Sequence, residues 1–186
     1  MNKHFKLMLL VLLTTPVFGQ RLAIKENLPL AALRVPNIGL ELEVGQKLTL
    51  DISAAYNPFQ VSETKKWKLW TVQPELRYWF CQNFSGSFVG LHAGAGQFNI
   101  GGFDNAIYPG LKDTRVQGSF WNAGISYGYH WILSPRWGIE ATAGFGYANY
   151  QYKRFNCLHC GEKVGSGKES YLGPTRAGIS LIYMIR

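Results

Sequence analysis

The chain has 186 residues, 47% of them hydrophobic, 15% aromatic and 16% charged, with a formal net charge of +8. The apolar content excludes a disordered chain, three cysteines exclude a disulfide scaffold, and the length fits one domain. A soluble protein ordinarily carries about a quarter charged residues, so the deficit points to a surface that does not face water throughout.

In chain order, Met1 to Gln20 reads as a secretory signal. Lys3 and Lys6 give it a basic start, Leu7 to Phe18 an apolar stretch, and Val17-Phe18-Gly19 a small-residue cleavage site. Residues 1–19 are the expected leader and residues 20–186 a single domain, with 17 basic against 11 acidic residues once Lys3 and Lys6 are gone. The apolar stretch falls short of the roughly 20 residues a membrane-spanning helix needs, and no later segment supplies one.

From there on the dominant pattern is period two, the signature of strands with chemically different faces. Leu22 to Ala32 gives an irregular first strand. Ile38, Leu40, Leu42 and Val44 then oppose Gly39, Glu41 and Glu43, and Leu48, Leu50, Ile52, Ala54 and Tyr56 oppose Thr49, Asp51 and Ser53. Trp70, Val72, Leu76, Tyr78 and Phe80 oppose Thr71, Gln73, Glu75, Arg77 and Trp79, while Val89, Leu91, Ala93 and Ala95 oppose Gly90, His92, Gly94 and Gly96. The alternation is clearest over Val116 to Ile132, where Trp121, Ala123, Ile125, Tyr127, Tyr129 and Trp131 oppose Asn122, Gly124, Ser126, Gly128 and His130. Trp137 to Tyr147 repeats it, and Ala177, Ile179, Leu181, Tyr183 and Ile185 close the series against Arg176, Gly178, Ser180, Ile182 and Met184.

Three links between these segments are brief, at Gly45-Gln46-Lys47, Gln82 to Ser85 and Ser134-Pro135-Arg136. Those at the other end are long, at Asn57–Lys66, Asn99–Arg115 and Arg154–Ser170, apart from a tight one near Arg34 to Asn37. Eight strands with this asymmetry predict an all-β, antiparallel, up-and-down transmembrane β-barrel, with short periplasmic turns and longer extracellular loops. A soluble barrel with its apolar face inward would also alternate. Its outer face would then be rich in Lys, Glu and Thr, whereas the second face here is largely Gly, Ser and Asn, which fit a narrow lumen.

On that orientation Glu41, Glu43, Asp51, Glu75, Arg77, His92, Glu140 and Arg176 face inward, and Lys25 joins them on a weaker parity. Buried charges need partners, so these residues should form an ion-paired plug and not a conducting pore. Pro29, Pro74 and Pro174 resist the scheme, because proline removes a ladder donor; bulges or positions above the bilayer are expected there.

The segments Gln73-Pro74-Glu75-Leu76-Arg77-Tyr78-Trp79, Tyr127-Gly128-Tyr129, Cys157-Leu158-His159-Cys160-Gly161 and Gly173-Pro174-Thr175-Arg176 resemble those of a Bacteroidetes family of small exported proteins classed as a domain of unknown function. The resemblance covers nearly the whole mature chain. It implies an outer-membrane barrel with genes that accompany fimbria-like surface operons, and it carries over no catalytic residue. Arg176, Gly178, Leu181 and Tyr183 also resemble the carboxyl-terminal signal read by the barrel assembly machinery, although the chain continues through Met184, Ile185 and Arg186.

Cys157 and Cys160 form a lone C-x-x-C. A structural zinc site needs four ligands and a thioredoxin-like site a helix start, so a local disulfide is the expected form in an exported chain. Cys81 lies near the opposite end, as a free thiol or an intermolecular crosslink. Lys65, Lys66, Lys68, Lys112, Arg115, Lys153, Arg154, Lys163 and Lys168 outnumber the acidic residues of the long loops and make a basic rim, suited to lipopolysaccharide phosphates.

The expected role is a non-enzymatic structural or surface-anchoring module. Its partners would be outer-membrane lipid and surface or fimbria-like proteins, with no nucleic acid, cofactor or metal. Two other readings are a lipid-modifying enzyme using His92, Ser126, His130 and Glu140, whose spacing matches no hydrolase motif, and a soluble lipocalin-like carrier.

Overall fold

A computed structural model of the chain describes residues 21–58, 60–62, 65–102, 114–156 and 163–185. The expected leader and the Cys157–Cys160 pair lie outside these residues. The strands are β1 (Leu22–Asn27), β2 (Asn37–Gly45), β3 (Leu48–Asn57), β4 (Gln60–Ser62), β5 (Lys65–Trp79), β6 (Gly86–Gly101), β7 (Arg115–Ile132), β8 (Trp137–Phe155) and β9 (Lys163–Met184), and a five-residue helix α1 (Leu28–Ala32) follows β1. Each wall strand pairs antiparallel with its sequence neighbours, and two seams close the sheet. One joins β1 to β9 and the other β3 to β5, so β4 is a short side arm on β5. The result is a ring of eight antiparallel strands, as the alternation predicts.

Four local features differ from the sequence reading. The first strand stops at Asn27 instead of reaching Ala32, because the Asn27 side chain caps a helix by accepting from the Leu30 N–H at 3.2 Å and Pro29 sits in that helix's first turn, where it lacks nothing. The first link therefore spans residues 28–36 and is not tight. Pro74 needs no bulge: β5 pairs with β6 at Val72–Ala95 and Glu75–His92 in unchanged register, and only the bridges at Gln73 and Pro74 drop out. Pro174, by contrast, does adjoin a bulge, since Gly144 pairs with Arg176 while Phe145 pairs with Pro174, leaving Thr175 as the extra residue.

The fourth difference concerns the upper end. Much of the loop expected at Arg154–Ser170 is strand, with Gly165 opposite Arg154 and Gly167 opposite Tyr152. Glycine reads as a loop former, but a Cβ at Gly167 would lie 2.7 Å from the Tyr152 ring, so here it makes room for an aromatic neighbour. β8 and β9 are consequently tall, at 19 and 22 residues, against 6 for β1 and 9 for β2.

The outward face carries the apolar residues. Ile125 is 63% exposed and Ile179 49%, and Ala143 is exposed, while Gly124, Gly144 and Gly178 point inward. Inside, the lower opening is filled by Trp79, Phe88, Ile182 and Ala23, with Phe84 folded in from the β5–β6 turn at a φ of 62°. That turn is tied to the next by the Asn83 amide, which donates to the Gly45 carbonyl at 2.6 Å.

Candidate functional site

Above this apolar floor the ring is crossed by a network to which every wall strand contributes. Lys25 comes from β1, Glu41 from β2, Asp51 from β3, Glu75 and Arg77 from β5, His92 from β6, Ser126 from β7, Glu140 from β8 and Arg176 from β9. The register gathers them: Glu41, Asp51, Glu75 and His92 lie in one hydrogen-bonded row, and Arg77, Gly90, Ser126 and Gly144 in the next with Arg176. Gly90 stands where a Cβ would meet the Glu75 carboxyl carbon at 2.9 Å, so its bareness admits the carboxylate.

Arg77 is the hub. Its Nε donates to Glu75 Oε2 at 2.7 Å, its Nη1 to Glu41 Oε2 at 2.9 Å and Glu140 Oε2 at 3.0 Å, and its Nη2 to Asp51 Oδ2 at 3.4 Å. The guanidinium also lies 4.4 Å from the centre of the Phe88 ring. Lys25 Nζ pairs with Glu41 and, at 2.8 Å, with Glu140 Oε2. Arg176 Nη2 reaches Asp51 Oδ2 at 2.7 Å and Glu75 Oε2 at 3.2 Å, while its Nη1 donates to Gln73 Oε1 at 3.1 Å. Hydroxyls complete the carboxylates, from Thr49 to Glu41, from Ser126 to Glu75 and from Thr142 to Glu140 at 3.0 Å. Trp79 Nε1 donates to Thr49 Oγ1 at 2.8 Å and joins the network to the floor.

These groups are buried, and burial of charge is tolerable only with such pairing. The arrangement cross-braces the wall from inside the ring. Of the inward charges read from the sequence, Glu41, Asp51, Glu75, Arg77, Glu140 and Arg176 meet, and Lys25 proves central. Glu43 shares their parity but is only half-buried, one step nearer the β2–β3 turn and outside the network.

Of the candidate catalytic set, His130 and Glu140 are register partners across β7 and β8, but the four do not form a relay: Ser126 donates to Glu75, His92 Nε2 is 2.8 Å from Thr175 Oγ1, His130 lies beside the Trp79 ring, and Glu140 faces cations. Sequence reasoning missed Thr49 and Thr175 as members. Thr49 carries the inward parity that could have found it, whereas Thr175 turns inward only because of the bulge.

Higher up, the ring widens into a mouth of about 970 Å³. One paired row of inward residues surrounds it, Asn57, Leu69, Phe98, Gly118, Tyr152 and Gly167. Phe98, Phe120 and Tyr150 stack along the wall beneath, with ring centres 6.5 and 5.8 Å apart.

The basic residues expected on loops stand instead on strands. Lys68, Lys153 and Lys168 point outward from β5, β8 and β9, Arg115 covers the Phe155 ring at 4.5 Å, and Arg154 lies over Tyr152 at 5.3 Å. Lys65, Lys66 and Lys163 also belong to strands by their backbone, and Lys112 lies outside the described residues. Of the carboxyl-terminal signal residues, Arg176 and Gly178 face inward, while Tyr183 meets Trp137 edge-to-face with ring centres 4.9 Å apart. Cys81 is a free, exposed thiol.

The family described as Protein of unknown function (DUF3575) matches residues 5–185 of this sequence. The chain belongs to that family. No curated protein matches it. Membership agrees with the resemblance to a domain of unknown function and brings no assigned activity, so the geometry must carry the functional reading.

Proposed function

We propose that the ring is an eight-stranded outer-membrane β-barrel, exported with residues 1–19 removed, that serves as a non-enzymatic structural and interaction module at the cell surface. Its plugged lower half anchors it in lipid, and its upper strands form the platform for surface or fimbria-like partner proteins. Among the described residues no helix is long and apolar enough to cross a membrane, so on this reading the strands do the crossing.

The observation that carries the reading is a change of outward chemistry at one height. On β5 to β8 the outward residues are apolar up to an aromatic or small residue and then turn polar: Trp70 then Lys68 on β5, Ala95 then Gln97 on β6, Trp121 then Ser119 on β7, Tyr147 and later Gln151 on β8; β9 turns from Leu172 to Ser170 and Lys168, with Val164 apolar again near its end. A second aromatic level lies below, where Tyr129 packs on Trp131 at 4.8 Å and Trp137 on Tyr183. From Trp121 to Trp131 the chain advances about 33 Å at roughly 3.3 Å per residue. With a strand tilt near 40° that is about 25 Å along the axis, the height of the apolar band of such barrels. Tyr and Trp favour both edges of a bilayer for their amphipathic rings.

Lys68, Lys153 and Lys168 stand just above the upper aromatic level, facing out, where lipopolysaccharide phosphates would lie. A soluble carrier would have to leave the whole apolar band in water, an exposed patch far beyond the few hundred Å² that monomers tolerate.

Membrane fractionation with heat-modifiable gel migration tests the proposal. Recovery in the outer-membrane fraction with faster migration of the unheated protein is the expected result. Release as a soluble periplasmic protein with no shift would defeat it.

A further inference from the structure

The ladder between β1 and β9 ends at Asn27–Ser180. Above it α1 occupies the place where β1 would have continued, and none of its residues is buried. Behind α1 lies a cavity of about 190 Å³, bounded by Asn27 and Leu30 on the outer side and by Lys25, Asp51, Glu140 and Arg176 of the ion network.

In that network every carboxylate oxygen of Glu41, Glu75 and Glu140 accepts a hydrogen bond or ion pair, and so does Asp51 Oδ2. Asp51 Oδ1 has no donor, although the residue is only 1% exposed. Lys25 Nζ is 3.8 Å away and already engaged by Glu41 and Glu140. A Cβ at Gly39 would lie 3.6 Å from this oxygen, so the missing side chain leaves it facing open space. Four carboxylates also stand against three cations. A water molecule could satisfy the oxygen but not the charge, and an uncompensated buried charge is the costlier defect.

We propose that this cavity is a binding site for a primary ammonium group, which donates to Asp51 Oδ1 and supplies the fourth positive charge. The volume, room for roughly six waters at ~30 Å³ each, admits an ethanolammonium head. The cover is the segment best suited to admit it, since α1 has no buried side chain and no ladder to β9, and such segments open at low cost. The ammonium has two sources, a free amine or a lipid headgroup arriving from the side. Only the second rests on the membrane reading.

The test uses the whole chain without residues 1–19, refolded in detergent and titrated with ethanolammonium chloride. A saturable rise in thermal midpoint is expected, unmatched by tetramethylammonium chloride, which has the charge but no N–H, or by sodium chloride at equal ionic strength. Leu30→Trp fills the cavity without touching an ion pair and should weaken the response at least about tenfold, or ~1.4 kcal/mol. Gly39→Ala, which places a methyl beside the oxygen, should weaken it too and serves if Leu30→Trp does not fold.

Nanodiscs holding phosphatidylethanolamine and its N,N-dimethyl analogue, followed by native mass spectrometry, separate the sources. Selective retention of the primary amine assigns the lipid. A response to free ethanolammonium without lipid retention assigns the soluble amine. Equal stabilisation by all three salts, an undiminished response in a folded variant, or no response in either arm overturns the site. The detergent arm is independent of where the protein resides, so the site and the membrane reading can fail separately.

Discussion

The ring has two storeys built on opposite plans. Below the level of Trp70, Trp121 and Tyr147 the inside carries the ion network above its apolar floor and the outside is apolar, with Arg77 and Glu75 within and Leu76, Ile125 and Ile179 without. Above that level the same strands keep the same alternation but exchange chemistry, placing Leu69, Phe98, Phe120 and Tyr152 within and Lys68, Gln97, Ser119 and Gln151 without. A sheet puts its apolar face wherever water is absent, so the inversion reads as a change of surroundings along one wall. On the proposed membrane reading, the upper storey follows the plan of an ordinary water-soluble sheet and the lower storey that of a lipid-facing one.

The lower interior should be the most sensitive region. Arg77→Met leaves the carboxylates of Glu41, Glu75 and Glu140 facing one another, and breaking a buried pair by removing one partner costs about 3–5 kcal/mol. Tryptophan-monitored urea unfolding from liposomes measures this loss, and a neutral result would mean that the network is not what braces the wall. Next in size is a matched pair on β7. Ile125→Arg at the middle of the apolar band should cost about 2–4 kcal/mol, whereas Ser119→Arg above the upper aromatic level should cost about 0–1 kcal/mol. Equal costs would erase the distinction between the storeys.

Much of this was legible in the sequence because alternation reports which residues share a face. Glu41, Asp51, Glu75, Arg77, Glu140 and Arg176 could be assigned to one interior by parity alone. Three kinds of feature could not. The helix at Leu28–Ala32 hides inside an apolar stretch that reads as a strand until Asn27 is recognised as its cap. Thr175 escapes because a bulge resets parity, and only the pairing of Phe145 with Pro174 reveals it. Lys68, Lys153 and Lys168 read as loop residues because polar and glycine-rich segments resemble loops when the sheet is expected to end at the apolar band.

A smaller effect tests the close packing between storeys. Gly124 and Gly146 face each other across β7 and β8, and a Cβ at Gly124 would lie 2.8 Å from the Gly146 Cα. Gly124→Ala should therefore cost about 1–3 kcal/mol through overpacking, read from the same unfolding curves. Smallest of all is Tyr152→Phe in the mouth. It removes the hydroxyl that donates to Glu169 at 2.7 Å in an exposed position, and no measurable shift in the unfolding midpoint is expected. A large loss there would show that the mouth is as tightly knit as the plug.

The closing seam has a consequence for how the molecule comes together. β9, the longest strand, meets β1, the shortest of the eight wall strands, through five residue pairs from Ala23–Met184 to Asn27–Ser180, whereas its other edge is zipped to β8 along almost its whole length. A curved palisade of β5 to β9 can thus stand complete while the first and last strands are still apart. Joining the two ends would be the final event of folding, and β1, held by four pairs on one side and five on the other, is where the hoop first springs open under load.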